Sequence, residues 1–205
     1  MLNWDLFLLP YRQAVDELKL KLRGIRASYE LERVHSPIEF VTGRVKPVKS
    51  IELKIEESLI SEDLIESTVK DIAGLRIMCQ FVEDIDTIVN LLRLRSDFEV
   101  VEERDYVANK KESGYRSYHL VIKYPIQTFI GKKDIIAEIQ IRTLAMNFWA
   151  SIEHSLSYKF EGSIPAPIQY RLEKMAEQVS RLDEEMTRIR EDIQEAQISV
   201  FNKIK

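Results

Sequence analysis

From Ile168 onward the apolar residues recur without a slip. Ile168, Leu172, Met175, Val179, Leu182, Met186, Ile189 and Ile193 alternate spacings of four and three. That is a heptad seam on a single helix. Pro165 and Pro167 stand near its start, where proline is tolerated. A helix from there to about Gln197 spans roughly 48 Å at 1.5 Å per residue. It is longer than a small domain is wide, so part of it projects and needs a partner. A second stripe, Trp4, Leu8, Tyr11, Val15, Leu18, Leu22, Ile25 and Tyr29, marks a helix near the N-terminus. Pro10 lies at a kink in that helix or at its true first turn. Two such stripes exceed what one sheet face requires and favour self-association. The alternative is that both helices cover the sheet of one monomer.

Between the helices the pattern changes. Ser36, Pro37 and Glu39 carry a capping-box signature for a short helix. Pro47 opens another, with Ile51 and Ile55 on its apolar side. The run 72–82 is strongly apolar, 84–95 has helical spacing, and 98–107, 115–124 and 135–142 are strands, with a turn at 131–134. Helical spacing returns at 144–160, with Phe148, Trp149, Ile152 and Leu156 inward. Short strands with hairpin-like connections and flanking helices predict an α+β fold with a mixed, mostly antiparallel sheet. The expected organisation is one domain over residues 1–205: an N-terminal helix in 1–34, a core in 35–160 and an oligomerisation helix in 165–200.

Composition narrows the chemistry. With 30 Lys and Arg against 34 Asp and Glu, the net charge of -4 argues against a globally basic nucleic-acid-binding domain. A single cysteine, Cys79, excludes a disulfide framework and a multi-cysteine zinc site. His35, His119 and His154 lack metal-ligand spacing. No apolar run reaches membrane-span length and the first residues carry no basic signal region, so the expected compartment is the cytoplasm. Walker A, G-x-G-x-x-G and G-x-S-x-G patterns are absent.

Four segments carry candidate chemistry. In 135–142 the period-two alternation puts Ala137, Ile139 and Ile141 on one face and Glu138, Gln140 and Arg142 on the other. An apolar face with a polar row opposite equally describes any solvent-facing sheet. Asp71 precedes an apolar run containing Arg76; the two have opposite parity, and Gly74 offers a bulge that brings them to one face. Asp71 serves equally as a local cap. Two carboxylates from neighbouring strands make a hard-oxygen site suited to Mg²⁺ with phosphate oxygens. In 110–119, Tyr115, Ser117 and His119 alternate after a Gly turn, where a tyrosine stacks on a base or simply packs on the sheet. In 44–50, Arg44, Lys46 and Lys49 near a helix start, with Ser50 in its first turn, suit a polyphosphate or are solvated charges. With Arg76, Arg104, Lys110 and Lys111 they concentrate cations in a chain of negative net charge.

The segments His35–Pro47 (HSPIEFVTGRVKP), Asp71–Ile77 (DIAGLRI), Glu112–His119 (ESGYRSYH) and Glu138–Ala150 (EIQIRTLAMNFWA) together closely resemble the synthetase domain of the RelA/SpoT family. Length and flanking helices resemble its RelQ-type small alarmone synthetases, which lack the hydrolase domain of the long relatives. The resemblance implies a nucleotidyltransferase-like fold and a pyrophosphokinase. Such an enzyme moves the β,γ-pyrophosphate of ATP to the 3′-hydroxyl of GDP or GTP, giving ppGpp or pppGpp and AMP. It implies Asp71 and Glu138 as catalytic, Mg²⁺-binding acids. Arg44, Lys46, Ser50, Arg76, Arg104 and Lys111 fall to ATP, and Tyr115, His119 and Gln140 to GDP or GTP. Arg23, Arg26, Glu39, Phe40, Thr42 and Asn147 match an allosteric pppGpp site, where Arg23 stands in place of a lysine. A homotetramer and single-stranded RNA binding also occur in this type. The alternative is a catalytically inactive nucleotide- or RNA-binding regulator on the same fold, which would be expected to have lost an acid or the tyrosine. Asp71, Glu138 and Tyr115 are all present. A purely structural helical oligomer explains the seams but not the four motifs.

Overall fold

In a computed structural model, which describes residues 2–59, 61, 64–158, 160 and 164–204, a five-stranded sheet has the order β1-β2-β5-β4-β3. The strands are β1 (Phe40–Val45), β2 (Ala73–Cys79), β3 (Glu99–Asp105), β4 (Tyr118–Thr128) and β5 (Gly131–Thr143). The pair β2–β5 is parallel and the other neighbours are antiparallel. The helices are α1 (Trp4–Leu31), α2 (Val48–Ser58), α3 (Ile65–Thr68), α4 (Val82–Arg93), α5 (Leu144–Tyr158) and α6 (Ala166–Ile204). The expected α+β architecture with a mixed, mostly antiparallel sheet and long terminal helices is what forms.

Period-two alternation builds the core. Ile77, Leu75, Ile139, Ile141, Leu120 and Ile122 point to one face and are fully buried with Leu8, Val15, Leu18 and Leu22 of α1 and Ile85, Ile88 and Leu92 of α4. Gly43 lets α1 lie close: a Cβ there would meet Val15 Cγ1 at 2.8 Å and Lys19 Cδ at 2.9 Å. Helix α1 starts at Trp4, with the Leu6 N–H donating to Asn3 Oδ1 at 3.2 Å, and runs on through Pro10.

Several local expectations are corrected. Residues 36–39 form no helix: the Ile38 N–H donates to Ser36 Oγ, and β1 begins at Phe40. The register of β2 on both neighbours is unbroken at Gly74, so no bulge is present. Asp71 lies in a turn before the strand, where parity does not apply. The β4–β5 turn falls at Phe129 and Ile130, and Gly131–Asp134 belong to β5. Tyr115 precedes β4 and sits in a loop rather than in a strand. Of the four α5 residues expected inward, Trp149 is buried, whereas Phe148, Ile152 and Leu156 are 59%, 43% and 51% exposed. On α6 the seam is largely open to solvent: Leu182 is 55% and Met186 45% exposed. Among the described residues no helix is long and apolar enough to cross a membrane.

Candidate active site

Opposite the core, the strand register lines polar side chains into rows. Thr42, Arg76, Gln140, His119 and Arg104 are successive cross-strand partners, and the next row is Arg44, Gly74, Glu138, Val121 and Glu102. Directly paired residues project to the same face. Gly74 therefore leaves room beside Glu138. A cavity of about 250 Å³ opens there, lined by Thr42, Arg44, Asp71, Gly74, Arg76, Glu138 and Gln140. A wider one of about 590 Å³ adjoins it through Arg44, Arg76 and Gln140 and adds Lys111, Tyr115, Arg142 and His154.

Each acid is held by defined partners. Asp71 accepts from Lys46 Nζ at 2.5 Å and from Lys54 Nζ at 3.0 Å. Burial pushes its carboxyl up, but the two ammonium groups outweigh this and hold it below the ordinary carboxylate range. Glu138 is mostly buried and binds His119 Nδ1 at 3.1 Å and Gln140 Nε2 at 2.8 Å. Burial again raises its carboxyl, and His119 and Gln140 more than reverse the effect, while the Asp71 charge opposes them. The pair therefore stays ionised together.

The cations crowd one another. Burial first, then the charges of Arg142 and Arg44, push the Arg76 guanidinium below its ordinary value. Like charges gathered round a cleft are unfavourable until an anion enters, and such a cleft concentrates polyanions. Arg76 Nε donates to Gln140 Oε1 at 3.3 Å, and Arg142 Nη2 donates to the same oxygen at 2.9 Å. The Tyr115 hydroxyl bonds to His119 Nε2 at 2.8 Å and accepts from Arg142. Its ring has Arg142 at 5.0 Å and the Lys111 ammonium at 5.3 Å, and the Tyr106 ring meets both Tyr115 and His119 edge-on.

Of the predicted site residues, Asp71, Glu138, Arg44, Arg76 and Gln140 line the smaller cavity, and Lys111 and Tyr115 the wider one. Lys46 and His119 reach the site through the two acids. Arg104 shares the face but is paired with Glu102 at 2.5 Å and lines neither cavity. Ser50 also lies outside both linings. In the predicted effector set, Arg26 donates to the Glu39 carbonyl, and the Glu39 carboxylate accepts from Gln80 at 2.8 Å. Arg23 is exposed on α1 and Phe40 at the start of β1. Thr42 lines the smaller cavity itself. Asn147 Oδ1 is buried without a hydrogen-bond partner among the described residues. Sequence reasoning missed Lys54, Tyr106 and the part Arg142 plays.

A family model described as a region found in RelA / SpoT proteins matches residues 43–163. The chain belongs to the RelA/SpoT family. It is 61% identical to GTP pyrophosphokinase YjbM of Bacillus subtilis (strain 168), over 99% of this chain and 96% of that protein. Among solved structures, small alarmone synthetase 1 from Bacillus subtilis bound to its product pppGpp matches with a TM-score of 0.89 and 62% identity, covering 93% of this chain and 98% of that one. The same enzyme bound to AMPCPP matches with a TM-score of 0.82 and 57% identity, covering 94% and 98%. Within this RelA/SpoT chain the region of the family match contains Asp71, Glu138 and every lining residue of both cavities except Thr42.

The acid pair has a consequence for stability. Both folded pKa values lie below those of the unfolded chain. Their ionisation therefore stabilises the fold above about pH 4 and ceases to do so as pH falls through the lower folded values. Glu138→Gln is expected to flatten the acid limb of thermal midpoint against pH. An acid limb identical to that of the parent protein contradicts this.

Proposed function

We propose that the chain is a GTP pyrophosphokinase that transfers the β,γ-pyrophosphate of ATP to the 3′-hydroxyl of GDP or GTP and makes ppGpp or pppGpp in the cytoplasm. The observation that carries this is one cavity lined by two ionised carboxylates, Asp71 and Glu138, beside Arg44 and Arg76. In the reaction the acceptor O3′ bonds to the β-phosphorus, the bond from that phosphorus to the α,β-bridging oxygen breaks, and AMP leaves. The 3′-hydroxyl proton passes to the Glu138 carboxylate, which His119 and Gln140 orient. Arg44 and Arg76 balance charge on the phosphate chain. Tyr115 supports the guanine, with Gln140 beside it and His119 holding the tyrosine hydroxyl.

The donor set fits Mg²⁺. Two ionised carboxylates face one cleft, and among the described residues no group of three or more His, Cys, Asp or Glu side chains gathers to hold a metal. Mg²⁺ favours one or two carboxylates and completes its shell with phosphate oxygens and water. Asp71 and Glu138 would hold the ion, which would supply Lewis-acid withdrawal of charge from the phosphorus under attack. Lys46 and Lys54 meanwhile keep Asp71 ionised and oriented.

Incubation with ATP, Mg²⁺ and GDP or GTP, followed by nucleotide separation, tests the reading. AMP and the 3′-pyrophosphorylated guanine nucleotide should appear in equal amounts; release of ADP without AMP, or no turnover, overturns it.

The exposed seam of α6, together with the exposed side of α5, supports a homotetramer. Leu182→Glu with Met186→Glu is expected to lower the mass measured by light scattering, and an unchanged mass contradicts this. Arg26, held to β1 through Glu39, and Asn147, with its buried unpartnered oxygen, support a pppGpp effector site between subunits.

A further inference from the structure

The loop between β3 and β4, residues 106–117, carries Lys111 and Tyr115 into the wider cavity. Its base is fixed by Asp105, whose Oδ1 accepts from the Val107 and Ala108 N–H groups at 2.8 and 2.9 Å. Its tip is closed by the Gly114 N–H on the Lys111 carbonyl at 2.8 Å and the Lys111 N–H on the Tyr115 carbonyl at 3.1 Å. These bonds shape the loop but do not say where it lies.

Helix α6 does that. Gly114 has φ +84°, and a Cβ on it would sit 2.4 Å from Ala176 Cβ. The loop backbone is thus seated directly on the helix, at a residue whose conformation favours glycine. Two residues on, Arg116 Nη1 donates to Ser180 Oγ at 2.7 Å. Ala176 and Ser180 are one helical turn apart and present the same face to the loop. Tyr115 itself packs on a small apolar cluster of Trp149, Ala150, Ala176 and Val179, separate from the main core. Trp149 joins α5 to α6 through its Nε1–H on the Leu172 carbonyl at 3.2 Å.

We infer that α6 is a positioning element for the acceptor nucleotide: through Ala176 on Gly114 and Ser180 on Arg116 it holds the 106–117 loop so that Tyr115 faces the wider cavity. On the donor side only Lys111 rides on this loop. Arg44, Asp71 and Glu138 stand on or beside strands paired within the main sheet. The inference rests on the proposed function for the identity of the acceptor, and it separates two affinities that a general loss of folding would move together.

The test is steady-state kinetics with GTP varied at saturating ATP and the reverse, together with calorimetric GTP binding in the absence of ATP. Ser180→Ala is expected to raise the GTP KM about fivefold, the scale of one ordinary hydrogen bond lost, and to move the ATP KM by less. Ala176→Leu, which forces the loop off the helix, should move the GTP KM further in the same direction. Ser180→Thr keeps the hydroxyl and should restore the parent value. A GTP KM that does not move in Ser180→Ala, or GTP and ATP values that rise by the same factor, overturns the inference. So does a shift that vanishes once light scattering shows the parent mass restored at higher protein concentration. If the parent protein transfers no pyrophosphate but still binds GTP, and Ser180→Ala weakens that binding, the proposed function fails and the positioning role stands.

Discussion

Replacing Glu138 by glutamine is expected to cut pyrophosphate transfer by about a hundredfold to ten-thousandfold, the usual contribution of a positioned proton acceptor. The substitution is nearly isosteric. A glutamine there retains an oxygen for the contact that Gln140 now makes at 2.8 Å, but it accepts no proton at neutral pH. The fold should persist, because Ala137 and Ile139 on the core face of the same strand are untouched. Asp71→Asn is expected to lose activity on the same scale with an added structural cost. It leaves Lys46, which is only 16% exposed, and Lys54 without their shared counter-charge. Product analysis and thermal melts on the same samples check both. Full activity in either variant removes the acid pair from the mechanism.

Tyr115→Ala is expected to weaken acceptor binding by about 1–3 kcal/mol, the range for a base stacked on an aromatic ring. That corresponds to roughly fivefold to a hundredfold in the GTP or GDP KM. The ring is not bare in the absence of nucleotide, since Arg142 and Lys111 lie over it at 5.0 and 5.3 Å. Arg142 is tied to Ser117 and Gln140, whereas among the described residues the Lys111 ammonium meets the Tyr106 and Tyr115 rings. The entering base is therefore expected to displace the lysine towards the phosphates. Tyr115→Phe keeps the ring but loses the bonds to His119 and Arg142. It should recover most of the acceptor affinity. Equal KM values for the parent and the alanine variant contradict the stacking role.

How far the site could be read from sequence depends on which physics placed each residue. Glu138, Gln140 and Arg142 follow from strand parity alone, because alternation with Ile139 and Ile141 leaves them one face. Asp71 was legible as an acid before an apolar run. Its alignment with Arg76 was not, because parity stops at the end of the strand and a turn, rather than a bulge at Gly74, brings it round. Lys54 was invisible as a partner because α2 meets Asp71 only in three dimensions. Apolar spacing identified α5 and α6 as helices but misjudged what Phe148, Ile152 and Leu156 face. Burial in a core and readiness for another protein surface leave the same stripe in a sequence. The seat of the 106–117 loop on α6 was likewise hidden, since Gly114 and Ala176 are far apart in the chain and small residues carry no periodic signal.

In a crystal of the protein grown with AMPCPP and Mn²⁺, the metal is located by the anomalous scattering of manganese. One metal peak is expected in the smaller cavity, about 2.1 Å from carboxylate oxygens of both Asp71 and Glu138 and shared with the phosphates. A metal bound to one acid alone, or phosphates seated away from the pair, contradicts it.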